Sequence, residues 1–421
     1  MRANRRQFLI RSGLAGLAGL ATMVPLTGWA AETATGLKPM TGGAKPITAE
    51  ERLGRIARAQ ALMRAQDIDA LLVEAGSSLL YFTGIDWWRS ERLTAAIIPA
   101  EGDPLIVTPA FEEPSIRESL AVPGDVRVWQ EDESPIRLIS DFLQRRNLDK
   151  GVVGVEETVR FFAVDGLHQA LPEARIVSGA GVVRGCRMIK SPAELALMQI
   201  AADIQIAAFR HIAPRIERGM SQQDLQAMLI AASRALGSDS DGGLILIGES
   251  SAYPHGSHTP RRVADGEVIL FDAGVAVHGY QSDISRTMVF GRAADARQRL
   301  LFDQVRRGQD IAMETARIGT PAGKVDDAVR AYYTSLGYGP GYKLPGTPHR
   351  TGHGIGMDGH EPVNLVHGET TLLAPGMCFS NEPGIYIPGR FGVRIEDCFH
   401  MTGDGPRWFT HPPASIDRPF D

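Results

Sequence analysis

Two stretches of this 421-residue chain each carry a pair of acids spaced about a turn signal, inside runs of β-forming residues. In "EVILFDAGVAVHGYQSDISRTMVF", Asp272 and Asp283 flank His278-Gly279. In "NEPGIYIPGRFGVRIED", Glu382 and Glu396 are symmetric about Gly389, next to Pro388. Asp272 and Asp283 are an odd number of residues apart, which would put them on opposite faces of one strand. A hairpin reverses that outcome. If the first turn centres between Val277 and His278, Asp272 falls opposite Asp283; the second turn places Glu382 opposite Glu396. Like charges across a strand pair are destabilising unless a cation lies between them. Two such pairs point to divalent metal, and four carboxylates suit two ions. The glycine-rich "HRTGHGIGMDGHEP" supplies His349, His353 and His360, one of them a candidate fifth ligand. Its glycine density suits close approach of backbone to a site. His255, in "YPHGSH", is a candidate for the same cleft.

The pairs sit in the second of two expected domains. Thr48 and Glu51 have capping-box spacing ahead of an amphipathic helix. Strand-like runs follow in "DALLVEA", "LLYFTGI", "TAAIIPA" and "PLIVTPA". Residues 48–185 therefore read as an α/β domain. It shows no chemical cluster, and packing is the expected role of Trp87-Trp88. "KSPAELALM" opens the second domain, residues 186–421, with Ser191 as cap, Pro192 at the first helical position and Glu194 closing the box. Helical patterns at 192–213 and 221–236, and again at 296–318 and 321–336, each lead into strands. An ααββ order used twice suggests an α+β domain of two halves about a pseudo-twofold axis.

The N-terminus is a separate object. Arg5-Arg6 and Phe8-Leu9 precede an apolar run from Gly13 to Thr27, with Gly28 and Ala30 flanking Trp29. The run is too short and glycine-rich for a good spanning helix and reads as a signal peptide over 1–30. The arginine pair resembles a twin-arginine export signal, which implies a periplasmic or otherwise exported protein without stable membrane insertion once the signal is removed. Residues 31–47 read as a linker. The chain is 43% hydrophobic and 22% charged with a formal charge of −5, so extensive disorder and nucleic-acid binding are disfavoured. Cys186, Cys378 and Cys398 are too scattered for a disulfide framework and read as core thiols.

Over residues 48–415 these motifs resemble the pita-bread-fold metallopeptidases, in the prolidase and X-Pro aminopeptidase branch with a creatinase-like N-terminal domain. The resemblance implies a dinuclear site on Asp272, Asp283, His353, Glu382 and Glu396; ligands of this kind suit Mn²⁺, with Co²⁺ or Zn²⁺ as alternatives. It implies substrate-handling roles for His255, His349 and His360, and a supporting role for Arg394. Glu382 is the implied proton shuttle, His360 the oxyanion donor, and His255 with His349 the groups that orient proline. The implied reaction is hydrolysis of the X-Pro bond at the N-terminus of di- or oligopeptides, by a homodimer. Two other expectations stay open: a C–N hydrolase of a small metabolite on the same fold, and an inactive binding protein.

Overall fold

The computed structural model describes residues 33–421; the expected export signal over 1–30 lies outside them. The N-terminal half is a mixed six-stranded sheet, ordered β4-β3-β2-β1-β5-β6. Its strands are β1 (Ala70–Glu74), β2 (Ala95–Pro99), β3 (Leu105–Pro109), β4 (Asp125–Trp129), β5 (Val152–Val155) and β6 (Arg175–Ser178). Helices α1 (Ala49–Ala65), α2 (Ser77–Thr83), α3 (Glu113–Ser119), α4 (Pro135–Arg145), α5 (Phe161–Ala170) and α6 (Ala180–Arg187) accompany it. One expected strand is wrong. "LLYFTGI" falls largely in α2, which ends at Gly84 in a left-handed cap. Most of α2 is buried, and periodicity alone cannot tell a short, fully apolar run in a strand from one in a helix. Trp87 packs against the core, but Trp88 stacks on it and is 53% exposed, so packing explains only the first.

The second half follows the expected rhythm. Helices α7 (Pro192–Ile212) and α8 (Gln222–Ala235) precede β7 (Ser240–Ile247), β8 (Val268–Val277), β9 (Tyr280–Gln281) and β10 (Ile284–Val289). Helices α9 (Ala296–Thr315) and α10 (Gly323–Ser335) precede β11 (Gly352–Gly354), β12 (Glu361–Leu365), β13 (Cys378–Asn381), β14 (Gly384–Tyr386), β15 (Gly392–Arg394), β16 (Asp397–Thr402) and β17 (Gly405–Trp408). The sheets run β10-β8-β7 and β12-β11-β13-β16-β17, with β14-β15 as a separate pair. The Ser191–Glu194 capping box is complete at the start of α7. All three cysteines are free and buried. No helix among the described residues is long and apolar enough to cross a membrane.

The two halves share one apolar cluster, from Ile56 and Met63 through Leu197 and Phe209 to Phe271 and Val277. The boundary expected after residue 185 falls inside α6. Two buried polar clusters also cross between the halves. Arg55 on α1 meets Glu194 on α7 and Tyr280 on β9. Arg187 and Lys190 meet Glu361. Burial opposes ionisation of Glu361, but the charges of Arg187 and Lys190 hold its carboxyl down at about 2. The folded-state value thus lies below that of the unfolded chain. Its stabilisation, about 3 kcal/mol, is complete above the unfolded value and is lost as pH falls through it toward 2. The stability gap between wild type and Glu361→Gln is therefore expected to be full at pH 6 and to narrow below pH 4. Urea unfolding across that range measures it; a gap independent of pH would contradict the assigned shift.

Candidate metal centre

The β8–β9–β10 hairpin turns at His278 and Gly279, with φ of +48° and +80°. Positive φ at both central residues is the geometry of a tight hairpin turn matched to strand twist. Val277 pairs with Tyr280, and Asp272 pairs with Ser285 rather than with Asp283. The turn lies one residue later than the sequence suggested, which slides the register by two. Because side chains alternate with period two, Asp283 keeps its face and lies diagonal to Asp272. The second register is as expected. Asn381 pairs with Asp397 and Gly384 with Arg394, so Glu382 and Glu396 face each other where the chain leaves one sheet for the next.

His353 arrives on β11. A side chain at Gly352 would place its Cβ 2.1 Å from the Ser380 carbonyl oxygen, so only glycine lets β11 lie this close to β13. The His353 Nε2 atom lies 3.2 Å from Glu382 and 3.8 Å from Asp283. Donor atoms of Asp272, Asp283 and Glu396 lie within 4.8 Å of one another, as do those of His353, Glu382 and Glu396. The two triads share Glu396, an arrangement suited to two neighbouring cations. Asp283, His353 and His360 form a third such group. Glu396 Oε1 is buried with no hydrogen-bond partner, an unmet acceptor that a cation would satisfy.

The electrostatics agree. Burial, then the Asp272 charge, pushes Asp283 up to about 7. Burial and the charges of Asp283 and Glu382 push Glu396 well above the carboxylate range. Burial opposes ionisation of Glu382 too, but a hydrogen bond with His353 and nearby positive charge bring it to about 2. Without a cation, such a cluster must hold protons. The residues present thus fit divalent metal.

A polar layer behind the cluster fixes it, and sequence reasoning found only one of its members. Ser285 Oγ lies 2.7 Å from Glu396, 3.1 Å from Asp272 and 3.0 Å from Arg394 Nε. Arg394 also pairs with Asp272 and donates to Tyr386 Oη at 2.9 Å and to the Pro254 carbonyl at 3.1 Å. The fully buried Arg286–Asp397 pair, 2.6 Å apart, lets Arg286 donate to the Glu396 carbonyl at 2.8 Å. Ser285 and Arg286 lie just beyond an acid in a strand pattern, a signal too common to single them out.

The other histidines divide by location. His349 Nε2 meets Tyr386 Oη at 2.9 Å, and its carbonyl accepts from Arg330, itself paired with Asp326 on α10. Burial lowers the His349 pKa. His360 lies with its ring 4.0 Å from that of His353. Partial burial, with the charges of His353 and Arg350, brings it down to about 4. His255 is on an exposed loop, and its imidazole makes no hydrogen bond among the described residues. Its neighbour Pro254 is tied to Arg394.

Comparison with known proteins agrees with this geometry. The metallopeptidase family M24 profile matches residues 196–403, and that of the creatinase/prolidase N-terminal domain matches residues 55–189. The chain is 33% identical over 339 residues to the Xaa-Pro dipeptidase of Lactobacillus helveticus, covering 79% of this chain and 90% of that protein. Its structure resembles that of dipeptidase PepE from Mycobacterium ulcerans, with a TM-score of 0.80, 29% identity, and 89% and 99% of the two chains covered. It also resembles a prolidase from Thermococcus sibiricus, with a TM-score of 0.78, 28% identity, and 85% and 96% covered. A creatinase-type N-terminal domain followed by a pita-bread domain whose acids and histidine converge makes this chain a member of metallopeptidase family M24.

Proposed function

We propose that the protein hydrolyses the X-Pro bond of short peptides, with Asp272, Asp283, His353, Glu382 and Glu396 holding two divalent ions. The observation that carries this is the convergence of four carboxylates and one imidazole around the unpartnered Glu396 Oε1. Names of relatives, an Xaa-Pro dipeptidase and a prolidase, support the choice of bond. Oxygen-rich ligands with one imidazole suit Mn²⁺, with Co²⁺ and Zn²⁺ as alternatives. When bound, such ions polarise a carbonyl and lower the pKa of water.

The chain's own groups do the rest. Glu382, ionised and beside His353, takes the proton that leaves the water and returns it to the imide nitrogen as the C–N bond breaks. His360 is neutral at pH 7 and so can donate one ring N–H to the carbonyl oxygen as charge grows there. Tyr386 fixes His349, and the Arg394–Pro254 bond ties down the loop of His255, so that both histidines orient the proline side. Arg350 makes no side-chain hydrogen bond or ion pair among the described residues, and its charge is felt at His360. That leaves a guanidinium for the free carboxylate of a dipeptide. Turnover of X-Pro, X-Pro-Y and longer peptides after loading with each metal tests this. Dipeptides should be preferred, and Arg350→Ala should raise KM for X-Pro about tenfold, in keeping with a lost charged hydrogen bond. Equal turnover at every length would reject the carboxylate role.

Export is proposed from Arg5-Arg6 and the small residues around Trp29. Arg5→Lys with Arg6→Lys is expected to leave full-length precursor in the cytoplasm, followed by fractionation and immunoblotting. Unchanged export of the double variant would remove the twin-arginine assignment. A homodimer is proposed as well. Phe111 and Phe161, exposed by 62% and 77% on the N-terminal half, are the side chains proposed to meet a second copy. Light scattering decides it.

A further inference from the structure

His360 stands on the segment Met357–Glu361, which runs from the loop after β11 into the first residue of β12, and that segment closes through the carboxylate of Glu361. Glu361 Oε1 accepts from the backbone N–H of Met357 at 3.0 Å and of Asp358 at 3.2 Å. Its Oε2 accepts from Lys190 Nζ at 2.9 Å. Arg187 pairs with the same carboxylate and with Asp358, the latter at 2.8 Å. The second nitrogen of Arg187 donates to Ser77 and Ser78 at 2.9 Å each, and Ser77 in turn donates to Asp358 at 2.7 Å. Arg187, Lys190 and Glu361 are 9%, 6% and 6% exposed. The segment lies close against the clamp: a Cβ on Gly356 would lie 2.7 Å from Lys190 Cε and 2.8 Å from a Glu361 carboxylate oxygen.

Arg187 and Lys190 come from the segment that leaves the N-terminal half, far in sequence from the acids and histidines. A buried ion triad stabilises little beyond what apolar side chains of the same volume would. What this triad does specify is the register of one short turn. We propose that Arg187 and Lys190 are positioning residues for His360: by clamping Glu361 they hold the imidazole against His353. The N-terminal half thus helps set the geometry of the reacting centre. This rests on the role given to His360 in X-Pro hydrolysis.

Arg187→Lys keeps the charge but cannot reach Ser77, Ser78, Asp358 and Glu361 together. It is expected to lower kcat about 10- to 100-fold, as misplacement of a reacting group by about 1 Å does, with KM and metal content unchanged. Arg187→Ala should lose at least as much. A recess of about 200 Å³ lined by Arg187, Asp358 and His360 should let millimolar guanidinium restore part of it. The deciding comparison repeats Arg187→Lys in a His360→Ala background, where it should cost nothing more. An equal loss in both backgrounds, or metal lost in proportion to activity, overturns the proposal. A crystal structure of Arg187→Lys supplies an arm free of catalysis: His360 should leave its 4.0 Å contact with His353, and an unmoved ring overturns the proposal. Wild-type enzyme inert toward X-Pro would sink the substrate assignment, and the crystal structure alone would then decide the positioning role.

Discussion

Asp283→Asn is expected to remove at least one ion per chain and to lower X-Pro turnover by about 10³-fold. Metal-assisted catalysis supplies several kcal/mol of transition-state stabilisation, and each 1.36 kcal/mol is tenfold in rate. Asp283 belongs to the candidate triad with Asp272 and Glu396, so the ion held there would lose one of its three ligands. Metal analysis with kcat on one X-Pro dipeptide gives both numbers. A control separates this from misfolding. Without metal, burial and the Asp272 charge disfavour the ionised Asp283. Neutral asparagine relieves that repulsion, so the chelated variant should melt no lower than chelated wild type. A variant with two ions and normal turnover would remove Asp283 from the metal site.

His360→Ala is expected to cost about 10²–10³-fold in kcat with metal content nearly intact, the usual loss for one oxyanion donor. His360 reaches toward Asp283 and His353 but lies outside the proposed set of five ligands. His349→Ala should differ. Tyr386 and the Arg350 carbonyl hold its ring in place, and the proposed role of that ring is to pack beside the proline side, so the loss should fall more on KM. His255→Ala should resemble His349→Ala if both line the proline pocket; its exposed position makes the smaller effect the expected one. Kinetics and metal content for the three variants separate these roles. If His360→Ala loses metal in proportion to activity, His360 is a ligand and the assignment of His353 must be revised. Normal X-Pro turnover by all three would move a small-metabolite C–N hydrolase ahead.

What was legible in the chain was what repeats or alternates. The four helices of the second half begin within two residues of their expected positions because Ser191, Ser221 and Asp295 cap three of them, and caps are local. The register of Glu382 and Glu396 was readable because Pro388-Gly389 marks its turn. At His278-Gly279 a non-glycine residue takes positive φ, which the sequence does not announce, and the pairing slid by two while the face survived. The segment Ser77–Thr83 was misread because burial on all sides removes the periodicity that tells strand from helix. Ser285, Arg286 and Tyr386 were missed for another reason. Each matters through a partner remote in sequence (Glu396, Asp397 and His349), and no local spacing encodes such a pair. The clamp on Glu361 was hidden in the same way.

The most direct measurement follows turnover of an X-Pro dipeptide and its X-Ala counterpart by the full chain, first chelated and then titrated with Mn²⁺. X-Pro turnover should vanish on chelation and return as about two equivalents bind, with X-Ala turned over far more slowly throughout. Undiminished X-Pro turnover by metal-free protein, or equal turnover of the two peptides by the loaded one, would contradict a metal-dependent X-Pro hydrolase.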